Sequence, residues 1–124
     1  MPSLTLDENQ ARYQIRGFKP GLIQINNQQF TSSIVVSPSQ LIQNWPPQTI
    51  NDLSYAHLTQ TIILQPNILI IGTGATLQFP ALETYGELLN QGIGVEIMDT
   101  AAACRTYNAL TAENRKVVAA LILR

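Results

Sequence analysis

Four branched aliphatics in a row, Ile68-Leu69-Ile70-Ile71, run directly into Gly72-Thr73-Gly74. A strand without polar alternation is one buried on both faces. Glycines at its exit let the backbone turn sharply and leave main-chain N–H groups uncovered. A helical stretch opened by Pro80-Ala81 follows, and then a second apolar strand, Gly94-Val95-Glu96-Ile97-Met98. Right-handed crossover places the strands of such a unit parallel, so the chain is expected to be an α/β protein. Open α/β sheets hold their ligands at the carboxyl ends of the strands. Here that edge carries Gly72, Thr73 and Gly74 after one strand and Asp99 and Thr100 after the next.

The rest of the chain extends this unit on both sides. Before it, Tyr13 to Phe18 alternates with period two, Lys19-Pro20-Gly21 signals a turn, and Leu22-Ile23-Gln24-Ile25 is a strand. Asn26-Asn27 suits the left-handed residues of a hairpin, and Phe30 with Ile34-Val35-Val36 supplies a third strand. The front half thus reads as an antiparallel meander that extends or covers the parallel strands. Ser37-Pro38 breaks it, and the stretch through Trp45-Pro46-Pro47 is irregular, with Trp45 packed on the sheet. A short helix spans 54–64, capped by Asp52 or Ser54, and Pro66 stops it. Leu82, Tyr85, Leu88 and Leu89 predict the buried stripe of the next helix, with Gly92 as its left-handed stop. Asp99-Thr100 caps a third helix over 101–110, whose small face (Ala101, Ala102, Ala103) allows close packing. Val117 to Ile122 is the last strand. The expected fold class is a three-layer α/β arrangement: an N-terminal antiparallel meander plus a β-α-β-α-β unit on a central mixed sheet.

A chain of 124 residues suits one domain over 1–124, and 45% apolar content suffices for its core. Charged residues make up only 12%, about half the usual share of roughly 25%, which favours self-association and fits a homodimer. The net charge of −1 and the absence of basic runs give no footprint for nucleic acid or an anionic membrane surface. A lone cysteine makes no internal disulfide. Met1-Pro2-Ser3-Leu4 opens no signal peptide, and no apolar run approaches the ~20 residues of a bilayer span. These features predict a cytoplasmic protein without a transmembrane segment, with a place at the periphery of the inner membrane left open.

The motifs that carry chemistry are sparse. Gly72-Thr73-Gly74 opens like a dinucleotide fingerprint, but the third glycine would fall at position 77, which is Leu77. The helix also starts too late to hold a pyrophosphate at its N-terminus. One histidine, one cysteine and scattered carboxylates make no metal set, and no cofactor is expected. Cys104 near a helix N-terminus could pair with His57, though a buried inert thiol is the simpler reading. Glu96, between apolar neighbours in a strand that reads as central, needs a partner such as Arg105 or Arg115 if buried. Asp99, Thr100, Arg105 and Asn108 form the best polar cluster, either a binding site or ordinary capping with one ion pair. Nothing here assembles a catalytic set, so a binding role is favoured over an enzymatic one.

Leu69 to Gly74, Gly92 to Thr100, Ala103-Cys104-Arg105-Thr106-Tyr107-Asn108-Ala109-Leu110 and Glu113 to Val117 together resemble domain of unknown function family 498. The resemblance implies the Mth-type three-layer α/β fold. The family includes small bacterial proteins and the mitochondrial complex I assembly factor three, so the resemblance also implies a protein-binding or assembly role with respiratory-complex subunits as partners. The signature positions that it carries over are Gly72, Thr73, Gly74, Asp99, Thr100, Cys104, Tyr107 and Asn108, none with a catalytic role. The alternative is a small-ligand binder or an enzyme using the strand-end edge.

Overall fold

In a computed structural model that describes residues 9–123, the buried aliphatic runs become neighbouring strands of one sheet. The elements are β1 (Ile15–Lys19), β2 (Leu22–Ile25), β3 (Gln28–Phe30), β4 (Ile34–Val36), β5 (Leu41–Ile42), α1 (Tyr55–Ile62), β6 (Ile68–Gly72), α2 (Leu82–Asn90), β7 (Gly94–Met98), α3 (Thr100–Ala112) and β8 (Val117–Leu121). A five-stranded mixed sheet has the order β5-β4-β8-β6-β7, and a separate antiparallel sheet has the order β1-β2-β3. As expected, β6 is parallel to both β7 and β8, with Ile70 level with Glu96 on one side and with Ala119 on the other. The first four residues, read above for a signal peptide, lie outside the described residues.

Two crossovers in opposite directions put α2 and α3 on opposite faces of the sheet, and side chains alternate between the two cores. Leu69, Ile71, Val118 and Ala120 join Leu58 of α1 and Leu88 of α2 in one core. Ile70, Ala119 and Leu121 join Ala103, Cys104 and Tyr107 of α3 in the other, which Ile15, Ile23 and Ile25 of the small sheet close. The layers are therefore α1 with α2, the five-stranded sheet, and α3 with the small sheet. Among the described residues no helix is long and apolar enough to cross a membrane.

Several elements differ from the sequence expectation. Phe30 and Ile34–Val36 belong to different sheets, because Thr31 to Ser33 carry the chain from one to the other. Ile34, Val35 and Val36 are all buried because β4 is covered on both faces. In the segment read as irregular, Ser37 turns the chain by accepting from the Gln40 amide at 2.9 Å, and β5 pairs back on β4. Trp45 packs as expected, fully buried with its indole N–H 3.3 Å from the His57 carbonyl. β7 is an edge strand, so Glu96 is exposed and pairs with neither Arg105 nor Arg115. The ion pair among the described residues is Arg115–Glu113 at 3.7 Å. In α2, Leu88 is buried and Tyr85 half-buried, but Leu82 and Leu89 face solvent, and Pro80 lies outside the helix with Ala81 at its cap. α3 starts at Thr100 and runs two residues further than expected, and Gly92 takes its left-handed φ of 82°.

Candidate functional site

The carboxyl ends of β6, β7 and β8 are laced together by the residues read as the strand-end edge. Adjacent parallel strands whose connections leave to opposite faces open a crevice. Here β6 leads to α2 and β7 to α3, yet their exits are bridged. The Thr73 amide donates to Met98 at 2.9 Å and the Thr100 amide to Gly74 at 2.9 Å. The Thr100 hydroxyl accepts from the Gly74 amide at 2.8 Å and donates to the Ile122 carbonyl at 2.8 Å. The Ile122 amide in turn donates to Gly72 at 2.9 Å. One buried threonine thus ties three strand ends together.

The two glycines serve this lacing differently. A methyl group on Gly72 would come 3.0 Å from Thr100 Oγ1 and 3.1 Å from both Thr100 Cα and Leu121 Cδ2. Only a bare α-carbon lets the first turn of α3 lie on β6. Gly74 has a φ of +103° with open space around it, so there the backbone angle sets the requirement. Beyond it the connection to α2 is held by Thr73, whose hydroxyl donates to Thr76 at 2.7 Å and accepts from the Gln78 amide at 3.2 Å. Asp99 caps α3 by accepting from the Ala102 amide at 2.8 Å.

A cleft of about 380 Å³ opens beside this lacing. Its floor is Thr73, Gly74, Thr100, Ala101, Ile122 and Leu123; its walls are the β1–β2 turn (Phe18, Pro20, Gly21), the segment Gln48-Thr49-Ile50, and Ala75, Thr76 and Gln78. None of the lining residues is acidic, basic or a histidine. The two outer walls come from chain segments far from the glycines, and nothing local in the sequence signals that they converge here.

Arg105 and Asn108 lie elsewhere, beside a shallower hollow with Ile15 to Phe18 and Cys104. Arg105 is exposed. The Asn108 amide grips β1 as a neighbouring strand would, its Oδ1 accepting from the Ile15 amide at 3.1 Å and its Nδ2 donating to the Ile15 carbonyl at 2.6 Å. One residue earlier the Tyr107 hydroxyl donates to the Tyr13 carbonyl at 2.7 Å. Burial pushes the Tyr107 hydroxyl well above its usual pKa. Burial likewise raises Cys104 from 9.0 to about 12, with the Arg105 charge pulling slightly the other way. The thiol is therefore protonated at neutral pH. His57 is on the opposite side of the sheet, its Nδ1 accepting from the Ser54 amide at 3.1 Å, so the two do not form a pair.

A model of the family described as "Protein of unknown function (DUF498/DUF598)" matches residues 15–122. A zebrafish (Danio rerio) protein named NADH dehydrogenase [ubiquinone] 1 alpha subcomplex assembly factor 3 is 34% identical over 122 residues, covering 97% of this chain and 70% of that one. A Francisella tularensis protein named 13 kDa major membrane protein is 28% identical over 123 residues, 98% of this chain and 100% of its own. The solution structure of a Bordetella pertussis protein, described as a Mth938-like domain, superposes with a TM-score of 0.82 at 30% identity over 98% of this chain and 92% of that one.

Proposed function

Because the chain belongs to the DUF498/DUF598 family, we propose that it works by binding other proteins, as an assembly factor whose client is respiratory complex I. The observation that carries this reading is the likeness to the zebrafish protein named as a complex I assembly factor, which extends over 97% of this chain. The strand-end residues support it, since their polar groups are committed to holding strands together. The reading treats residues 1–124 as one working unit and places the protein in the cytoplasm, at the periphery of the membrane that holds the complex. Deleting the gene is expected to lower assembled complex I at least twofold on native gels, with restoration by the intact gene. Unchanged complex I in the deletion strain would overturn it.

The cleft favours a second reading, as a site for a small uncharged ligand. A lining of aliphatic and aromatic surface with threonine and glutamine groups suits a neutral apolar body carrying one or two hydrogen-bonding groups. In a thermal-shift panel of neutral amides and alcohols against nucleotides, at least one neutral compound is expected to raise the melting point by about 2 °C or more. Ala101→Leu, which fills the cleft floor, should abolish the shift. A panel with no response, or a response that survives the filled cleft, removes this reading.

A further inference from the structure

Among the described residues the exposed large hydrophobic side chains are Tyr55, Ile63, Leu77, Phe79, Leu82 and Leu89. Every one lies on α1 or its C-cap, on α2, or on the connection that leads from β6 into α2. None lies on the layer of α3 and the small sheet. Phe79 and Leu82, at 68% and 62% exposure, stand three residues apart at the start of α2. Leu89 follows two turns later on the same side of the helix.

The stretch of chain that carries these side chains is also free of positive charge. Residues 20–104 contain Asp52, Glu83, Glu87, Glu96 and Asp99 and no lysine or arginine. Glu83 and Glu87 are exposed on α2 beside the Leu82–Leu89 line, whereas Glu96 is exposed on β7 toward the α3 side, level with Ile70 and Ala119 of that core. The basic side chains on the other layer, Arg12, Arg16, Lys19 and Arg105, are all exposed. Beside the apolar side chains α2 thus carries acids and no base, while among the described residues the remaining bases, Arg115 and Lys116, lie between α3 and the start of β8, close to Leu64 and Pro66.

We propose that the face formed by Leu77, Phe79 and α2 is a docking surface for a partner protein segment that combines apolar anchors with lysine or arginine. This rests on the protein-binding reading above and names the chemistry of the partner. An uncharged or acidic segment would leave Glu83 and Glu87 unmatched, whereas a basic one pairs with them and is steered to the face. A second copy of this chain would have to bring its own basic layer to this face. That contact is head-to-tail, not the self-complementary contact of a twofold dimer.

The test uses the intact protein and two synthetic 18-residue amphipathic helices with identical leucine positions, one with lysine and one with glutamate elsewhere. Calorimetric titration at low and moderate salt is expected to show the Leu/Lys peptide binding at least tenfold more tightly than the Leu/Glu peptide. Its affinity should fall as salt rises. Glu83→Lys with Glu87→Lys, and separately Phe79→Ser with Leu82→Ser, are each expected to weaken the Leu/Lys peptide tenfold or more. All four side chains are exposed, so both double variants should fold, which circular dichroism checks. Equal binding of the two peptides, no binding, or binding indifferent to both double variants overturns the proposal. So does a dimer in sedimentation that Phe79→Ser with Leu82→Ser dissolves, since a second copy would then occupy the face. The two readings fail separately. If the Phe79→Ser, Leu82→Ser gene fully restores complex I in the deletion strain, this surface is wrong and the assembly reading stands. If deletion leaves complex I unchanged while the peptide results hold, the surface stands and the assembly reading falls.

Discussion

Replacing Gly72 with valine is expected to destabilise the protein by about 3 kcal/mol, at the upper end of what overpacking a core usually costs. Alanine at the same place should cost about 1–2 kcal/mol. The reason is where the first new atom would sit. It would press on Leu121 Cδ2, which can move, but also on Thr100 Cα at 3.1 Å, which belongs to the first turn of α3 and moves only with the helix. Valine adds two methyl groups beyond that atom. Lifting α3 would also strain the Thr100 hydroxyl bonds to Gly74 and Ile122, so the damage spreads to the ends of β6 and β8. Thr100→Val, which keeps the shape and removes the hydroxyl, leaves the buried Ile122 carbonyl unpartnered, at about 1–3 kcal/mol, and the half-buried Gly74 amide too, at less. Thr100→Ser keeps both bonds and serves as the control. Urea unfolding with unchanged m-values measures all four variants. If Gly72→Val unfolds at the wild-type midpoint, the close approach of α3 to β6 is not real.

Gly72 was legible as a special position, but the packing that requires it was not. Gly72-Thr73-Gly74 opens like a phosphate-binding fingerprint, which Leu77 and the late helix already speak against; what the sequence does not show is that Gly72 makes room for a helix that arrives 28 residues later, while Gly74 turns the backbone as a strand exit requires. Features that depend on neighbours in the chain could be read directly: the buried runs of β6 and β8, the Asp99 cap, the left-handed Gly92. Features that depend on distant packing could not. Glu96 sits between apolar residues in the sequence, but the alternation only means that Val95 and Ile97 face α2; it does not say whether another strand lies beyond. The spacing of Leu82, Tyr85, Leu88 and Leu89 shows which residues share a side of α2, not how far the sheet reaches under it. β7 is the last strand, so the sheet covers Leu88 and stops short of the other two leucines. The cleft was half visible for the same reason. Its glycine and threonine floor follows from strand ends, while Phe18 and Ile50 arrive from segments that no local pattern links to them.

Raising the pH from 8 to 11 is expected to remove about 4 kcal/mol of stability, most of it through Cys104. The thiol is buried against Ile70, Ala103 and the small sheet, and its pKa rises from 9.0 to about 12 on folding. Below pH 9 both folded and unfolded chains hold the proton and Cys104 contributes nothing to the pH dependence. Above pH 9 the unfolded chain loses it while the folded chain keeps it, so the unfolded state gains about 1.4 kcal/mol per pH unit until the folded thiol also titrates near 12. At pH 11 that is about 2.7 kcal/mol. Tyr107 acts in the same direction from its ordinary 10.0 upward, because burial raises its hydroxyl too, and adds about 1.4 kcal/mol by pH 11. A loss of this size is a large part of the 5–15 kcal/mol, roughly, that holds a typical domain together. Urea midpoints taken within minutes at pH 8 and pH 11 provide the measurement. Cys104→Ala should start less stable, from the lost packing, but fall by only about 1.4 kcal/mol over the interval, and Tyr107→Phe by about 2.7. At pH 8 the native thiol should also resist a disulfide reagent that labels the unfolded chain at once. A Cys104→Ala curve as steep as wild type would show that the thiol is not kept protonated by the fold. Cys104 would then have to be reconsidered as a group that water, and a reactant, can reach.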